Sequence, residues 1–501
     1  METVQLYPHQ TEGVQWMKLK EQSEIKGGLL CDDPGLGKTF QILTLIKQQT
    51  INEHNEHNLI ICPLSLIQTW VNAIRTIFPT QIIQIHYSNT KLTTLLQFKK
   101  TNPFITITTY TNTWKHDDTP TILHHIQWTR IICDEAHVIK NIKSKVASAC
   151  HSIQATYRWA ITGTPIHNKL KDIHALLYYI HAHDSDLQLI RQNLHQLTTN
   201  YILRRTKDIM DLQYNKLTVN IIHATFTNNE EKDFYYTIKK AITQELKHIQ
   251  TTNKQQYNIQ VLELITRLRQ ASIHPYIIYK ALLNKIKGKE DTPEQYLKLK
   301  QLYKYWKHIP TTKIQTLIKH LSINQFQQDK VIIFTHFKEE TNIILKYIQE
   351  ELSHLQTYVY NGDTPISQRE QILLLCKQNK VDILIIQIMA GGVGLNLQMF
   401  SKIYITSPDW NPANEIQAIA RCHRIGQPKH VQVFKIILAD NDKPTIEQHI
   451  IQLQSKKRYV MSQTLHDPTL LFNEIDQHTQ DTYKPHDTVS IQTIIHSLTE
   501  E

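Results

Sequence analysis

Short apolar, β-branched runs alternate along the chain with stretches whose apolar residues recur every three or four positions. LIICP (59–63), FITITTY (104–110), RIICDEAH (130–137) and RWAITGTP (158–165) form a first set of such runs. KVIIFTHF (330–337), TYVYNGD (357–363), VDILIIQIMAGG (381–392), KIYITSP (402–408) and VQVFKII (431–437) form a second. Apolar runs alternating with helical periods predict βαβ units and a parallel sheet covered on both faces. The fold class expected is therefore α/β, with two parallel-sheet lobes.

Between the sets, strand signals vanish. Phe234, Ile238, Ile242, Leu246 and Ile249 recur at helical spacing, and Thr227 with Glu230 three residues later has the form of a capping box. After the second set, Ile446, Ile450 and Leu453 share one helical face, and the last 35 or so residues are polar and weakly patterned. The expected organisation is a first lobe over 1–226, a helical segment over 227–312 and a second lobe over 313–440. A brace helix and polar tail fill 441–501.

Composition narrows the class. The chain has 501 residues, 41% hydrophobic and 20% charged, which fits a globular protein long enough for about three packed units. No apolar run approaches the ~18 residues of a membrane span, and the N-terminus lacks the basic start and apolar stretch of a secretory signal. No membrane partner is expected. The six cysteines contain no CxxC pair and read as buried thiols, without a zinc module. The histidines of EHNEHN (53–58) read as a solvated turn. Lys plus Arg exceed Asp plus Glu to give a net charge of +10, which favours polyanionic partners such as nucleic acid.

Glycine is scarce, 12 in the chain and about a third of average usage, yet seven fall in two clusters: Gly27, Gly28, Gly35, Gly37, and Gly391, Gly392, Gly394. Such spending brings backbone close to something, and phosphate is the usual candidate. The first cluster lies in CDDPGLGKTFQIL, ahead of a helical pattern. Asp33, Pro34, Gly35, Leu36 and Gly37 form the candidate cradle, Lys38 reaches the β and γ phosphates, and Thr39 holds magnesium. Asp32 stands where the strict P-loop pattern has glycine. Asp134 and Glu135 end an apolar strand, where one carboxylate can hold the metal and its neighbour polarise an attacking water. In QAIARCHRIGQ (417–427), Arg421 and Arg424 are three apart, on one face if helical, and both could reach a γ phosphate.

These residues carry a family resemblance. YPHQTEGVQWM (7–17), GGLLCDDPGLGKT (27–39), ICPLSLIQTW (61–70), DEAHVIKNIKSK (134–145), ITGTPIHNKL (161–170), YILRRTKD (201–208), RLRQASIHPY (267–276), AGGVGLNL (390–397) and HRIGQ (423–427) resemble, in order, the helicase motifs of the Swi/Snf-type ATPases of superfamily two. A stand-alone core of this size looks most like the baculovirus global transactivators. The resemblance implies two RecA-like lobes, ATP and magnesium as cofactors, and a DNA-dependent ATPase that translocates along duplex DNA and remodels protein–DNA complexes to activate transcription. Nucleosomes or other DNA-bound proteins and a nuclear location are implied in the same way. Gln10 would read the adenine, and Gly394 and Gln417 would lie near the nucleotide. His137, Thr162 and Thr164 would couple hydrolysis to DNA, and Ser65, Lys140, Lys143, Asn396 and Trp410 would touch it. Two departures stand out. Pro34 replaces the usual methionine and stiffens the loop, and Ser407 and Asp409 in SPDWNP replace an aspartate and a tryptophan, so that an acid would face a DNA phosphate. A strand-separating helicase and a transcriptional adaptor using the core as a scaffold are the alternatives. KKR (456–458) is too short for an import signal and reads as a helix end.

Overall fold

The structure is a computed structural model that describes residues 5–50, 56–114, 119–165, 171–180, 200–207, 216–252, 257–286, 293–324, 329–391, 395–424 and 426–465. The chain divides into two compact units, one built on Met1–Tyr214 and the other on Asn215–Arg458. Among the described residues no helix is long and apolar enough to cross a membrane.

In the first unit the described strands are β1 (Gly27–Leu30), β2 (Asn58–Cys62), β3 (Ile83–His86), β4 (Ile105–Thr109), β5 (Trp128–Asp134), β6 (Ala155–Ile161) and β7 (Ile202–Leu203). They form a parallel sheet in the order β3-β4-β2-β5-β6-β1-β7. β2 and β4 are buried at every position, the mark of a sheet covered on both sides. The first helix, Pro8–Gln22, is fixed to the sheet by a buried ion pair. Glu21 accepts two hydrogen bonds of 2.9 Å from Arg130 on β5 and a third, of 3.0 Å, from the Trp159 indole on β6.

In the second unit β8 (Leu217–Thr225), β9 (Lys330–Thr335), β10 (Thr357–Tyr360), β11 (Ile383–Gln387), β12 (Phe400–Ile405) and β13 (Val431–Ala439) form a parallel sheet in the order β10-β11-β9-β12-β13-β8. Alternate residues feed two cores. Ile332, Phe334, Leu384, Ile386, Ile403 and Ile405 pack on one face, and Val331, Ile333, Ile383, Ile385 and Tyr404 on the other. Helices Asn229–Thr252, Tyr257–Ala271, Pro275–Ile286 and Pro293–Trp306 sit in the sequence between β8 and β9.

Four expectations need correction. Residues 217–225 belong to the second sheet, paired along their whole length with β13, so the boundary at 226 is displaced to 214/215. That partner lies more than 200 residues away, and nothing local reports it. The helix expected from Thr227 starts at Asn229. Asn228 accepts from the Glu230 amide at 2.8 Å, while Thr227 bonds to Thr312 and Glu231 accepts from the Thr312 amide and hydroxyl. Glu231 is thus spent on the start of the helix Thr312–Ser322. KKR lies inside the helix Ile446–Leu465, where Lys457 and Arg458 are buried and the Lys457 ammonium donates to the Trp410 carbonyl at 3.0 Å. Helix Pro412–Cys422 stops before Arg424, so the two arginines do not share a helical face. All six cysteines are buried free thiols, as expected.

Candidate active site

The register of the first sheet places the site. Leu30 pairs with Ile161 and Ile161 with Asp134, so the residues after β1, after β6 and at the end of β5 emerge side by side at the carboxyl edge. Open parallel sheets bind ligands at that edge. The loop after β1 ends at Gly37, with φ +79°, which caps the helix Lys38–Gln49. A Cβ on Gly37 would stand 2.2 Å from the Gln10 amide nitrogen, so only glycine admits both the turn and the glutamine. Gln10 is held in place, accepting from the Tyr7 amide at 3.1 Å and donating to the Leu36 carbonyl at 3.2 Å.

Lys38 donates to the Asp32 and Asp33 carbonyls, at 2.6 and 3.1 Å. Burial lowers its pKa, and Asp32, Glu135, Asp134 and Asp33 oppose that shift. Lys38 and the carboxylates of Asp134 and Glu135 therefore act on one another within one site. Thr39 opens the following helix and is partly exposed.

Asp32, the departure from the P-loop pattern, is fully buried and paired. Arg205 donates to its carboxylate from Nε at 3.0 Å and from a terminal nitrogen at 2.5 Å, and Gln41 adds a bond of 3.1 Å. Arg204 reaches Asp33 at 3.2 Å, the Cys31 carbonyl and the Gly163 carbonyl. The two arginines of YILRRTKD thus clamp the loop from the end of β7. Glycine at 32 would remove the carboxylate partner of the partly buried Arg205 guanidinium. Pro34 packs against Gly163, where a Cβ would come within 2.6 Å of the proline ring.

Asp134 is buried, and its carboxyl pKa rises to about 6 through desolvation and then the charge of Glu135. The Trp70 indole donates to it at 2.8 Å and the Glu135 amide at 2.9 Å, both favouring the carboxylate. Tyr110 donates to the Asp134 carbonyl at 2.7 Å. Glu135 takes a left-handed conformation, φ +52°, and its carboxylate lies 3.4 Å from His137 Nδ1. Asp134 and Thr39 supply hard oxygen donors with lone pairs to spare, which fits magnesium held jointly with phosphate and water. Thr162 and Thr164 are buried, and the Thr162 hydroxyl accepts from the Thr164 amide at 3.2 Å. Of the DNA-contact candidates in this unit, Ser65 and Lys143 are exposed and Lys140 is partly buried.

In the second unit Arg421 ends the helix Pro412–Cys422 with its carbonyl bonded to the Leu397 amide at 3.0 Å. Arg424 follows the helix and donates from Nε to the Ala420 carbonyl at 3.0 Å. Its pKa falls to about 10 through desolvation and the charge of Arg421, so the two guanidinium groups lie close despite the helix end between them. Gln417 is buried on the same helix. Gly394 lies outside the described residues. Asn396 is exposed, tied to Gln398 at 3.1 Å. Trp410 is partly buried, and Arg269 from RLRQASIHPY stacks between it and Phe337, at 5.3 and 5.4 Å, while donating to the Pro408 carbonyl at 2.8 Å.

Asp409 does not face a phosphate. It is buried, its carboxylate accepts from the Asn411 amide at 2.8 Å, and its own amide donates to Glu415. Ser407 donates to buried Glu340 at 2.7 Å, and Glu340 also takes the Thr406 hydroxyl and the His336 and Phe337 amides. Both substitutions are absorbed into a buried polar network. The sequence reading missed Trp70, Arg204, Arg205, Gln41 and Arg269, although all lie in the quoted segments. It also missed Gln427, whose amide joins the Gln398, Phe400 and Cys422 carbonyls.

Comparison with known proteins gives the family. Residues 9–277, more than half the chain, match the SNF2-related domain, and residues 312–426 match the helicase conserved C-terminal domain. A probable global transactivator of Orgyia pseudotsugata multicapsid polyhedrosis virus is 27% identical over 94% of this chain and 93% of its own length. Transcription termination factor 2 of Drosophila melanogaster is 25% identical over 91% of this chain, which spans 56% of that protein. The Sulfolobus solfataricus SWI2/SNF2 ATPase core in complex with dsDNA is 23% identical, with a TM-score of 0.40 over 95% of this chain and 96% of that one.

Proposed function

The chain belongs to the SNF2-related family of helicase-like ATPases, enzymes that use ATP and act on DNA, and on that footing we propose a DNA-stimulated translocase that moves along duplex DNA. The observation that carries the reading is the electrostatic meeting of Lys38 with Asp134 and Glu135 at the carboxyl edge of the first sheet. Lys38 would bind the β and γ phosphates and the amides of the loop through Gly37 their oxygens, while Gln10 would read the base. Thr39 and Asp134 would hold magnesium, which neutralises phosphate charge when bound. Glu135 would orient and deprotonate the attacking water, held towards the site by its left-handed backbone. Arg421 and Arg424 would stabilise charge on the transferred phosphoryl group during the working cycle, with Gln417 and Gly394 near it.

Movement of duplex DNA, contact through Ser65, Lys140, Lys143, Asn396 and Trp410, and coupling through His137, Thr162 and Thr164 complete the proposal. So do remodelling of DNA-bound proteins, nucleosomes among them, activation of transcription, and work in the nucleus. ATP turnover compared without nucleic acid and with single strand, duplex and RNA tests it. Duplex should stimulate most; equal rates in all four would end the translocase reading.

A further inference from the structure

Arg267 and Arg269 stand two apart in RLRQASIHPY and meet opposite fates on the helix Tyr257–Ala271. Arg267 is partly exposed and pairs along its own helix, with Glu263 at 3.6 Å and Gln270 at 2.9 Å. Arg269 is 3% exposed. Burying a guanidinium is costly, and desolvation lowers the pKa of Arg269 against the charges of Asp409, Glu447, Glu340 and Glu415. What the buried group touches identifies its task.

Its contacts converge on the segment that joins β12 to the helix Pro412–Cys422. The guanidinium donates to the Pro408 carbonyl at 2.8 Å and lies over two rings, Trp410 at 5.3 Å and Phe337 at 5.4 Å. Its other terminal nitrogen is 3.4 Å from His336 Nε2. Desolvation and then the Arg269 charge lower the His336 pKa to about 4, so the neutral ring can accept there. A planar guanidinium donates in its own plane while its faces meet aromatic rings; an ammonium has no face to offer. The backbone of the segment is held separately. The Asn411 amide donates to the Asp409 carboxylate and the Asp409 amide to Glu415, both at 2.8 Å, and Lys457 donates to the Trp410 carbonyl at 3.0 Å. Those bonds fix where Trp410 leaves the chain, whereas Arg269 acts on its ring.

We propose that Arg269 is a positioning residue for duplex DNA: by stacking on Trp410 it sets that ring in the orientation that meets the duplex, so the grip of the second unit is tuned from the helical segment between β8 and β9. The inference rests on the reading that Trp410 touches DNA. Fixing the ring beforehand removes part of the ordering cost of binding. Arg269, being covered, meets no phosphate itself.

Duplex affinity of the full chain, followed by fluorescence anisotropy over a range of salt, tests this. Trp410→Ala should weaken binding about tenfold. Arg269→Lys keeps the buried charge and loses the plane, while Arg269→Gln keeps a donor for Pro408 and loses the charge. Each should weaken binding about three- to tenfold. Combined with Trp410→Ala, neither should add a further loss, because the ring they position is gone. Loss through general damage to the unit would persist in that background. In Arg269→Gln the slope of log affinity against log salt should stay that of the unaltered protein, since no phosphate contact is lost. Suppose Trp410→Ala weakens binding. Normal binding by both Arg269 variants, losses that add to that of Trp410→Ala, or a slope shallower by about one would then overturn the positioning role and leave the Trp410 contact standing. Unchanged binding in Trp410→Ala would remove that contact, and the positioning role with it.

Discussion

The two units surround the cations proposed to meet phosphate differently. In the first, Lys38 has four carboxylates acting on it, from Asp32, Asp33, Asp134 and Glu135, and the loop that presents it is clamped by Arg204 and Arg205. In the second, Arg424 is perturbed by Arg421 and the Cys422 thiol, and burial with the neighbouring guanidinium lowers its pKa to about 10. Two buried ion pairs of the second unit lie elsewhere, Lys313–Glu447 at 2.5 Å and Lys435–Glu415 at 3.0 Å. The lysine is compensated at rest, so its loop holds its shape without a ligand. In the proposed cycle the interaction of Arg421 and Arg424 would strengthen as charge collects on a phosphoryl group, which is what selective stabilisation of a transition state requires.

Perturbing the compensated side gives the largest effect. Glu135→Gln removes the carboxylate proposed to activate water but not its shape, and DNA-stimulated phosphate release should fall about 10²- to 10⁴-fold while ATP still binds. Persistent turnover would dissolve the contrast by showing that hydrolysis does not depend on the first unit.

The ion pairs sharpen it next. Arg205→Ala strands a fully buried Asp32, and unfolding in urea should show a loss of about 3–5 kcal/mol together with weaker ATP binding. Lys313→Ala strands Glu447 beneath the second sheet. It should cost a similar ~3–5 kcal/mol yet leave ATP affinity alone. If both variants weaken ATP equally, the clamp on the loop has no special role. Gly163→Ala, pressing on Pro34, should cost about 1–3 kcal/mol in the same assay.

How much of this was legible depended on the range of the interaction. RIICD and KVIIFT stood out because fully buried strands are written as continuous apolar runs. GGLL did not, since glycine and leucine carry no β signal, although it became β1 beside the nucleotide loop. β8 was misplaced because its partner among the described strands, β13, is remote in sequence. That Lys38, Asp134 and Glu135 belong to one site was readable from residue type and order. The fate of Asp32 and Asp409 was not, because whether a carboxylate repels a phosphate or closes a turn is decided by burial and by partners such as Arg205 and Asn411. Helix Pro412–Cys422 shows the same limit: its end falls between two arginines that the spacing had placed on one face.

The smallest effect is one of pH. With a pKa near 6, raised above the ordinary carboxylate value, Asp134 is held protonated at acid pH in the folded chain, so the fold gains relative stability as pH falls through 6 and the carboxylate proposed to hold metal is lost in the same window. ATP turnover should drop below about pH 6. Trp70→Phe deletes a bond that favours the ionised form, so the acid limb should move to higher pH, with activity at pH 6 falling about twofold and activity at pH 8 nearly unchanged. An unmoved limb would assign it to another group.

The contrast between the units rests on Arg424 acting only when phosphate is being transferred, and nucleotide binding measured beside single-turnover hydrolysis in Arg424→Ala, with duplex DNA present, examines that directly. ATP affinity should stay within about threefold of the unaltered protein while hydrolysis slows about 10³-fold or more. Hydrolysis at the normal rate, or loss of binding in step with hydrolysis, would contradict it.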